Sequence, residues 1–240
     1  MPQVYIVDLA EMECVPPEWL VVLDDAEIAR ADRFLRSCDR LAFVAAHALK
    51  RLALAEVLSG QSARTLQFSA DYFGKPFLTG GDKTQFNLSH TTGLVALAVS
   101  LRAPVGIDVE MLGSTVLHRE AMLSVLNATE RAALSYAVDW EHDFLALWTA
   151  KEAVIKAEGK GLSLPLSKIE IHQDHALGPS RHWTLWRSRP TPRHVLALAW
   201  NGKDAVETHL LQGYDLTAWS AAGAPARRTL PGRRETSLRL

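Results

Sequence analysis

Residues 94–110, LVALAVSLRAPVGIDVE, contain two apolar β-type runs on either side of Ala103-Pro104. The first run, Leu94–Leu101, ends a series of short strands that follows two helical segments. The second run, Val105–Val109, is followed by helical segments and then by strands again. Because the order of helices then strands occurs twice, the sequence predicts an α+β protein. We expect two pseudo-symmetric subdomains, each with helices on a small, mainly antiparallel sheet, and a cleft at their seam.

The predicted N-terminal subdomain comprises residues 1–103. After a strand at Val4–Val7, Asp24-Asp25 can cap a helix that runs to about Leu35, and apolar residues at helical spacing predict a longer helix over Asp39–Leu58. Further short strands are predicted at Leu66–Phe68, Pro76–Leu78 and Phe86–Leu88.

The predicted C-terminal subdomain comprises residues 104–220. Helical periodicity covers Val116–Leu126, Glu130–Ala137 and Glu141–Glu158, and strand composition follows at Lys168–His172, His182–Arg187, Val195–Trp200 and Val206–Leu211. Residues 221–240, which are rich in Gly, Pro, Ala and Arg, predict a flexible basic tail.

Charge and cysteine content exclude several classes of function. The 26 Lys and Arg residues nearly balance the 27 Asp and Glu residues, so net charge gives no support for nucleic-acid or membrane-surface binding. Two cysteines are too few for a disulfide scaffold. The apolar run in residues 1–10 contains Asp8 and has no basic leader, so we expect no signal peptide or membrane span and a cytoplasmic location.

The segment Gly106-Ile107-Asp108-Val109-Glu110 places two carboxylates at positions i and i+2. On a strand, both point to the same face. Such a pair suits a hard cation such as Mg²⁺, because adjacent carboxylates repel one another when buried. A solvated strand end explains the same pattern equally well.

The segment from Trp148 to Leu162 predicts an amphipathic helix that ends at a glycine turn. Glu152 and Lys156 lie one turn apart on this helix. Their spacing alone favours an ordinary surface ion pair between positions i and i+4.

Phe86–Thr91 predicts a strand that ends in a polar turn, where site residues often collect. Ser89, His90 and Asp108 resemble the members of a hydrolase triad. However, adjacent strand residues point to opposite faces, and no nucleophile-elbow glycines surround Ser89.

Two further cationic positions are candidates for binding phosphate. Gly74-Lys75-Pro76 places a lysine in a tight turn, and Arg30 lies in a basic stretch at the end of the first predicted helix. A solvated basic face explains most arginines of that stretch equally well. The sequence contains neither a Walker loop nor a dinucleotide-binding glycine fingerprint.

Together these segments resemble the larger, single-chain 4'-phosphopantetheinyl transferases, which serve peptide and polyketide synthases. The resemblance extends over most of the first two-thirds of the chain, and the order and spacing of the motifs match. It rests on the helix around Arg30–Arg51, GKP at 74–76, FNLSH at 86–90, GIDVE at 106–110 and WTAKEAVIKAEGKGLSLPL at 148–166.

The resemblance implies a site in the cleft between the halves. Asp108, Glu110 and Glu152 would hold Mg²⁺, and Lys156 would contact the phosphates of coenzyme A and stabilise the leaving group. The remaining implied contacts to coenzyme A come from Arg30, Lys75, Pro76, Ser89 and His90.

The implied reaction moves the phosphopantetheine arm of coenzyme A to a serine of an acyl- or peptidyl-carrier protein and releases 3',5'-ADP. Glu152 is the nearest candidate base, acting directly or through a metal-bound water. Two other activities remain open, namely a metal-dependent phosphoesterase and a non-catalytic module that binds coenzyme A or a carrier. We expect a monomer, because one chain supplies both halves.

Overall fold

The computed structural model describes residues 1–58, 61–80, 83–113 and 119–222. Helices and strands are mixed along these residues, and the α+β class is confirmed. The first half contains, in order, β1 (Gln3–Asp8), α1 (Pro17–Val21), α2 (Asp25–Ala31), α3 (Ser37–Val57), β2 (Phe68–Ala70), β3 (Pro76–Leu78), β4 (Gln85–Thr91) and β5 (Leu94–Ser100).

The rest of the described chain begins with a strand that follows Pro104. Its elements are β6 (Val105–Met111), α4 (Arg119–Ser124), α5 (Ala128–Leu134), α6 (Trp140–Glu158), β7 (Glu170–Ile171), β8 (His175–Leu177), β9 (His182–Thr191), β10 (His194–Trp200), β11 (Glu207–Gln212) and α7 (Gly213–Ala222). Among the described residues, no helix is both long and apolar enough to cross a membrane.

The strands form two main sheets and one small hairpin. The first sheet has the order β11-β1-β5-β4, the second has the order β6-β10-β9-β8-β7, and β2 pairs with β3 separately. All pairs are antiparallel except β1 with β11, which run parallel.

The two halves share a common arrangement. In the first, β1 is followed by helices and then by the β4–β5 hairpin, whose second strand pairs with β1. In the second, β6 is followed by helices and then by the β9–β10 hairpin, whose second strand pairs with β6. The long helices α3 and α6 occupy equivalent positions in this order. The repeated topology agrees with the pseudo-symmetry expected from the sequence.

Buried apolar side chains form three clusters. One lies between α3 and the first sheet, and a second lies between α6 and the second sheet. The third lies between the two sheets and includes Val4, Ile6, Leu94, Ile107 and Leu198. Strand residues alternate between faces, so each sheet contributes one face to the shared core and the other to its own helix. The molecule is therefore layered as helix, sheet, sheet, helix.

The last strand and helix differ from the sequence-based expectation. We expected 206–211 to extend the second group of strands, but β11 pairs with β1 in the first sheet. Helix α7 follows directly and buries Leu216 and Trp219 in the first core. The pairing joins residues about 200 positions apart, and strand composition does not specify such a partner. The boundary between residues 103 and 104 stays a prediction, and the tail predicted at 221–240 lies outside the described residues from 223 onward.

Candidate active site

Strand β6 provides the floor of the candidate site. Its odd-numbered residues face the shared core, so Gly106, Asp108 and Glu110 face α6. At Gly106 an added Cβ would lie 2.1 Å from the carbonyl oxygen of Ala153, so only glycine lets α6 rest directly on the strand. This close approach brings side chains of α6 next to the carboxylates of β6.

Side chains of β4 connect the two halves beside this floor. The Asn87 side-chain carbonyl accepts a hydrogen bond from the Ile107 backbone N–H at 2.8 Å, and Ser89 Oγ accepts one from the Val109 N–H at 3.3 Å. These contacts satisfy backbone groups on the edge of β6 without a backbone ladder. Thus Asn87, which the sequence analysis did not single out, helps to fix the position of β6.

Asp108 is the most buried carboxylate of the site. Its Oδ1 accepts hydrogen bonds from Ser89 Oγ at 2.9 Å and from Lys156 Nζ at 2.5 Å. Its Oδ2 is buried and has no hydrogen-bond partner within the described part of the chain. Burial raises the pKa of Asp108, although Lys156 opposes the shift. The free oxygen is therefore a buried acceptor that lacks a donor or a cation.

Glu110 and Glu152 lie close to Asp108. Trp148 Nε1 donates a hydrogen bond to Glu110 Oε1 at 3.3 Å. Burial, together with the charges of Asp108 and Glu152, raises the pKa of Glu110 to about 7. Burial and the charge of Asp108 also raise the pKa of Glu152. The charge of Asp108 therefore disfavours the ionisation of both glutamates, an arrangement that a bound cation would offset.

The donor set suits Mg²⁺, which prefers carboxylate oxygens. The unpartnered Oδ2 of Asp108 and the raised pKa values of all three carboxylates fit such an ion. Within the ranges that the structure covers, no group of three or more His, Cys, Asp or Glu side chains is arranged closely enough to hold a metal. The assignment of these residues to Mg²⁺ therefore stays a prediction.

Lys156 makes a contact that its helical spacing did not suggest. Its ammonium pairs with Asp108 across the gap between α6 and β6, whereas spacing alone favoured a surface pair with Glu152. It also donates to Ser89 Oγ at 3.2 Å. A lysine that connects β4, β6 and α6 belongs to a site at the junction of the halves.

Ser89 and His90 lie on opposite faces of β4, as alternation along a strand requires. Ser89 is buried and faces Asp108, whereas His90 is exposed on the other face; partial desolvation and the positive charges of His47, Lys156 and Arg30 lower the pKa of His90. This arrangement excludes a catalytic triad in which His90 would activate Ser89. Instead it places His90 among cationic groups, a suitable environment for an anionic ligand.

Arg30 lies on α2, whose start is fixed by a reciprocal capping box between Asp24 and Glu27. Its guanidinium is 5.1 Å from the centre of the Phe43 ring, and that ring lies 4.1 Å from the ring of His47. Phe43 thereby contacts both an exposed arginine and a mostly buried histidine, and the charges of both act on His90.

A buried ionic network holds α2 against α3. Arg51 is fully buried and donates to Glu27 and Asp24, and to the backbone carbonyls of three residues, Ala63, Arg64 and Leu66. The sequence showed the spacing between Arg51 and His47, but it did not show which groups Arg51 contacts. The network sets the position of the helix that carries Arg30.

Lys75 and Pro76 lie in the β2–β3 hairpin. Pro76 is exposed at the start of β3, whereas the ammonium of Lys75 donates to backbone carbonyls at the end of α6. Burial lowers the pKa of Lys75 to about 8. The turn is thus next to α6, but its lysine is already engaged with protein groups.

An open cleft of about 630 Å³ lies at the tips of the two equivalent hairpins. It is lined from the first half by residues including Leu9, Leu41 and Thr92, and from the second by residues including Met111 and Pro192. Thr92 and Met111 follow His90 and Glu110 closely along the chain. The cleft lies at the seam between the halves, but the residues that line it include none of the candidate site residues, so a site within the cleft stays a prediction.

Lys151 is a structural residue within the helix that carries Glu152. It is fully buried, pairs with Glu130 Oε2 at 2.8 Å, and donates to the backbone carbonyls of Leu166 and Ile169. The sequence analysis assigned it no role, because spacing along a helix does not reveal burial. Its neighbour Glu152 points to the site, so one helix serves the core and the site from adjacent positions.

Replacing Lys151 with Met is expected to lower the free energy of unfolding by about 3–5 kcal/mol, because Glu130 would keep its burial and lose its cation. Chemical denaturation of the variant measures this change. The exposed Lys203, changed to Met, is the matched control. A loss below about 1 kcal/mol, typical of an exposed pair, would contradict the assigned structural role.

Comparison with known proteins identifies the family. Residues 104–217 match the 4'-phosphopantetheinyl transferase superfamily. Over 188 residues, the chain is 31% identical to the 4'-phosphopantetheinyl transferase HetI of Nostoc sp., and this match covers 74% of the chain and 78% of HetI.

Two other relatives extend the comparison. The chain is 26% identical over 224 residues to a putative 4'-phosphopantetheinyl transferase, slr0495, of Synechocystis sp., a match that covers 85% of the chain and 90% of that protein. It is 37% identical over 113 residues to the 4'-phosphopantetheinyl transferase Sfp of Bacillus subtilis, which covers 45% of the chain and 49% of Sfp. With its motifs, its topology and these matches in agreement, the chain belongs to the 4'-phosphopantetheinyl transferase family.

Proposed function

We propose that this protein transfers the 4'-phosphopantetheine arm of coenzyme A to a serine of an apo acyl- or peptidyl-carrier protein. The main structural support is the buried Asp108 carboxylate, which contacts Ser89 of one half and Lys156 of the other. At the seam, the Lys156 ammonium suits a phosphorylated substrate, and the Asp108 carboxylate suits the cation that accompanies such a substrate. Family membership supplies the reaction class.

The proposed coenzyme A contacts come from both sides of the seam. Arg30 and His90 are proposed to contact the phosphates from the first half, and Lys156 of α6 lies near enough for its charge to act on His90. Ser89, on the opposite face of β4, contacts Asp108 and Lys156, and Pro76 is exposed at the start of β3; both belong to the same predicted set. Guanidinium and ammonium groups bind phosphate through charge-assisted hydrogen bonds, so this set suits the diphosphate and the 3'-phosphate. Lys75 belongs to the same predicted set.

Asp108, Glu110 and Glu152 are proposed to hold Mg²⁺, which when bound would neutralise charge on the diphosphate. The chain's own contribution is to gather the three carboxylates on adjacent elements, with Trp148 orienting Glu110. Burial keeps them poorly solvated, which strengthens their interaction with a cation.

In the proposed reaction, the oxygen of the carrier serine forms a bond to the β-phosphorus of coenzyme A. The bond between that phosphorus and the bridging oxygen breaks, and 3',5'-ADP leaves with the electron pair. Glu152 is proposed to accept the serine proton, directly or through a metal-bound water. Lys156 donates hydrogen bonds to the developing negative charge.

Further proposals concern the metal requirement, the location, the oligomeric state and the pathway of the protein. We propose Mg²⁺ dependence, a cytoplasmic monomer and a role in secondary-metabolite biosynthesis. The monomer is supported by the origin of the site, since one chain contributes β4, β6 and α6. The pathway is supported by resemblance to the larger single-chain enzymes.

Intact-mass measurement of an apo carrier protein tests the transfer. Incubation with coenzyme A and Mg²⁺ is expected to increase the carrier mass by one phosphopantetheine group, and EDTA is expected to prevent the increase. Hydrolysed coenzyme A with an unmodified carrier would instead identify a phosphoesterase. Bound, unchanged coenzyme A across several carrier types would identify a non-catalytic binding module.

Added Mg²⁺ is expected to raise the melting temperature more above pH 7 than at about pH 5. The pKa of Glu110 is raised from 4.5 to about 7, so the folded state binds a proton that the unfolded state has already lost between these values. Stability is therefore lost as pH rises through this window, and a cation that binds the ionised carboxylates restores it. Scanning calorimetry measures the shift; an equal increase at both pH values would contradict the assignment.

A further inference from the structure

The ammonium of Lys75 contacts three backbone carbonyls. Its Nζ lies 2.7 Å from the carbonyl oxygen of Lys156, 3.3 Å from that of Ala157 and 3.4 Å from that of Val105. An ammonium has three N–H donors, and here three carbonyl oxygens accept them. No donor is left over for a phosphate in this arrangement.

Two of the three carbonyls that Lys75 contacts, those of Lys156 and Ala157, belong to the end of α6, and the third, that of Val105, begins β6. The last carbonyls of a helix lack intrahelical partners and carry partial negative charge, so a buried cation stabilises them. Gly159 ends α6 with a positive φ of 71°, and an added Cβ there would lie 3.1 Å from Lys75 Cδ. Glycine thus permits both the left-handed conformation and the passage of the lysine stem.

The β2–β3 turn holds Lys75 rigidly. Asp71 Oδ1 accepts hydrogen bonds from the backbone N–H groups of Phe73 and Lys75, each at 2.9 Å, and Gly74 has a φ of 85°. Such a turn fixes the direction in which the lysine side chain leaves the hairpin. A rigid turn of the first half is thereby fastened to a helix of the second.

The helix end that Lys75 holds includes Lys156 itself. Lys75 binds the backbone carbonyl of Lys156, while the side chain of Lys156 binds Asp108 at 2.5 Å. We propose that Lys75 is a positioning residue that fastens the end of α6 to the first half and sets the distance between Lys156 and Asp108. This role replaces direct contact between Lys75 and coenzyme A, and its kinetic test rests on the proposed transferase function.

The variant Lys75→Met keeps the length of the side chain and removes its donors. Its kcat is expected to fall about 100-fold, the effect of a small displacement of catalytic groups. Its Kd for coenzyme A, from calorimetry without carrier, is expected to stay within about twofold of wild type, as is its preference for coenzyme A over 3'-dephospho-coenzyme A. Lys203→Met is the matched control and should leave both values unchanged.

A large rise in Kd with kcat preserved, or loss of the preference for the 3'-phosphate, would overturn the proposal and restore Lys75 as a phosphate ligand. An unchanged kcat and Kd would overturn it as well. If Lys75→Met does not fold, Lys75→Gln, which retains a shorter neutral donor, takes its place.

Hydrogen exchange tests the same contact without a carrier protein. The amide of Gly159, bonded to the Ile155 carbonyl at 3.0 Å, and its neighbours at the end of α6 are expected to exchange at least about tenfold faster in Lys75→Met. Unchanged exchange would overturn the proposal. If the wild-type protein modifies no carrier, the proposed function is refuted. Hydrogen exchange still tests the contact between Lys75 and α6 in that case, because it does not depend on transfer.

Discussion

Asp108→Asn is expected to lower the rate of phosphopantetheine transfer by at least about 10²–10³-fold, the effect of removing one preorganised charge-stabilising group. Asp108 is the buried carboxylate on which Ser89 and Lys156 converge, and its free Oδ2 is a proposed magnesium ligand. Asparagine has nearly the same shape but lacks the charge. The product assay with a carrier protein measures the loss.

The fold of Asp108→Asn is expected to survive. Burial raises the pKa of Asp108, so the folded state carries an ionised carboxylate at an energetic cost that asparagine avoids. We therefore expect a melting temperature close to that of wild type. Glu13→Gln, which removes an exposed carboxylate elsewhere, is the control. Full activity in Asp108→Asn would remove the site assignment.

Lys156→Met is expected to reduce transfer by a similar factor and also to lower stability by about 1–3 kcal/mol. The stability loss arises because Asp108 remains buried without its cation. If the lysine formed only an exposed helical pair, the loss would be about 0.3–0.5 kcal/mol. Kinetics and chemical denaturation of one protein preparation measure both effects.

The double variant Asp108→Asn, Lys156→Met separates the two effects. Removing both partners leaves no unpaired buried charge, so stability is expected to recover while activity stays lost. Stability losses that simply add would show that the two residues do not interact, and activity retained in Lys156→Met would exclude its role at the diphosphate.

Local patterns predicted much of the fold. The long helices α3 and α6 and the hairpin strands β5 and β10 follow from apolar periodicity and from glycine or proline at their ends. Short elements were missed, including α1, β8 and α7, because few residues carry their signal. The partner of β11 was also missed, since long-range pairing depends on packing.

The candidate site was predicted in part. Alternation along β6 put Asp108 and Glu110 on one face, and the resemblance to the transferase family added Glu152 of α6 to them as a predicted group. The partners of the lysines were not predictable: Lys151 and Lys156 lie on one helix and Lys75 lies in a turn, and neither setting specifies the acceptors that each binds. Burial decides among these partners, and burial arises only when distant segments meet.

The parallel pairing of β1 with β11 has a consequence for synthesis on the ribosome. Until residue 212 has emerged, the first sheet lacks its outer strand, and the backbone edge of β1 has no partner there. Free edges of this kind associate with other chains. The first sheet is therefore completed last, although most of its strands are made first. We expect chains that end before residue 207 to aggregate, even though every proposed site residue precedes residue 207.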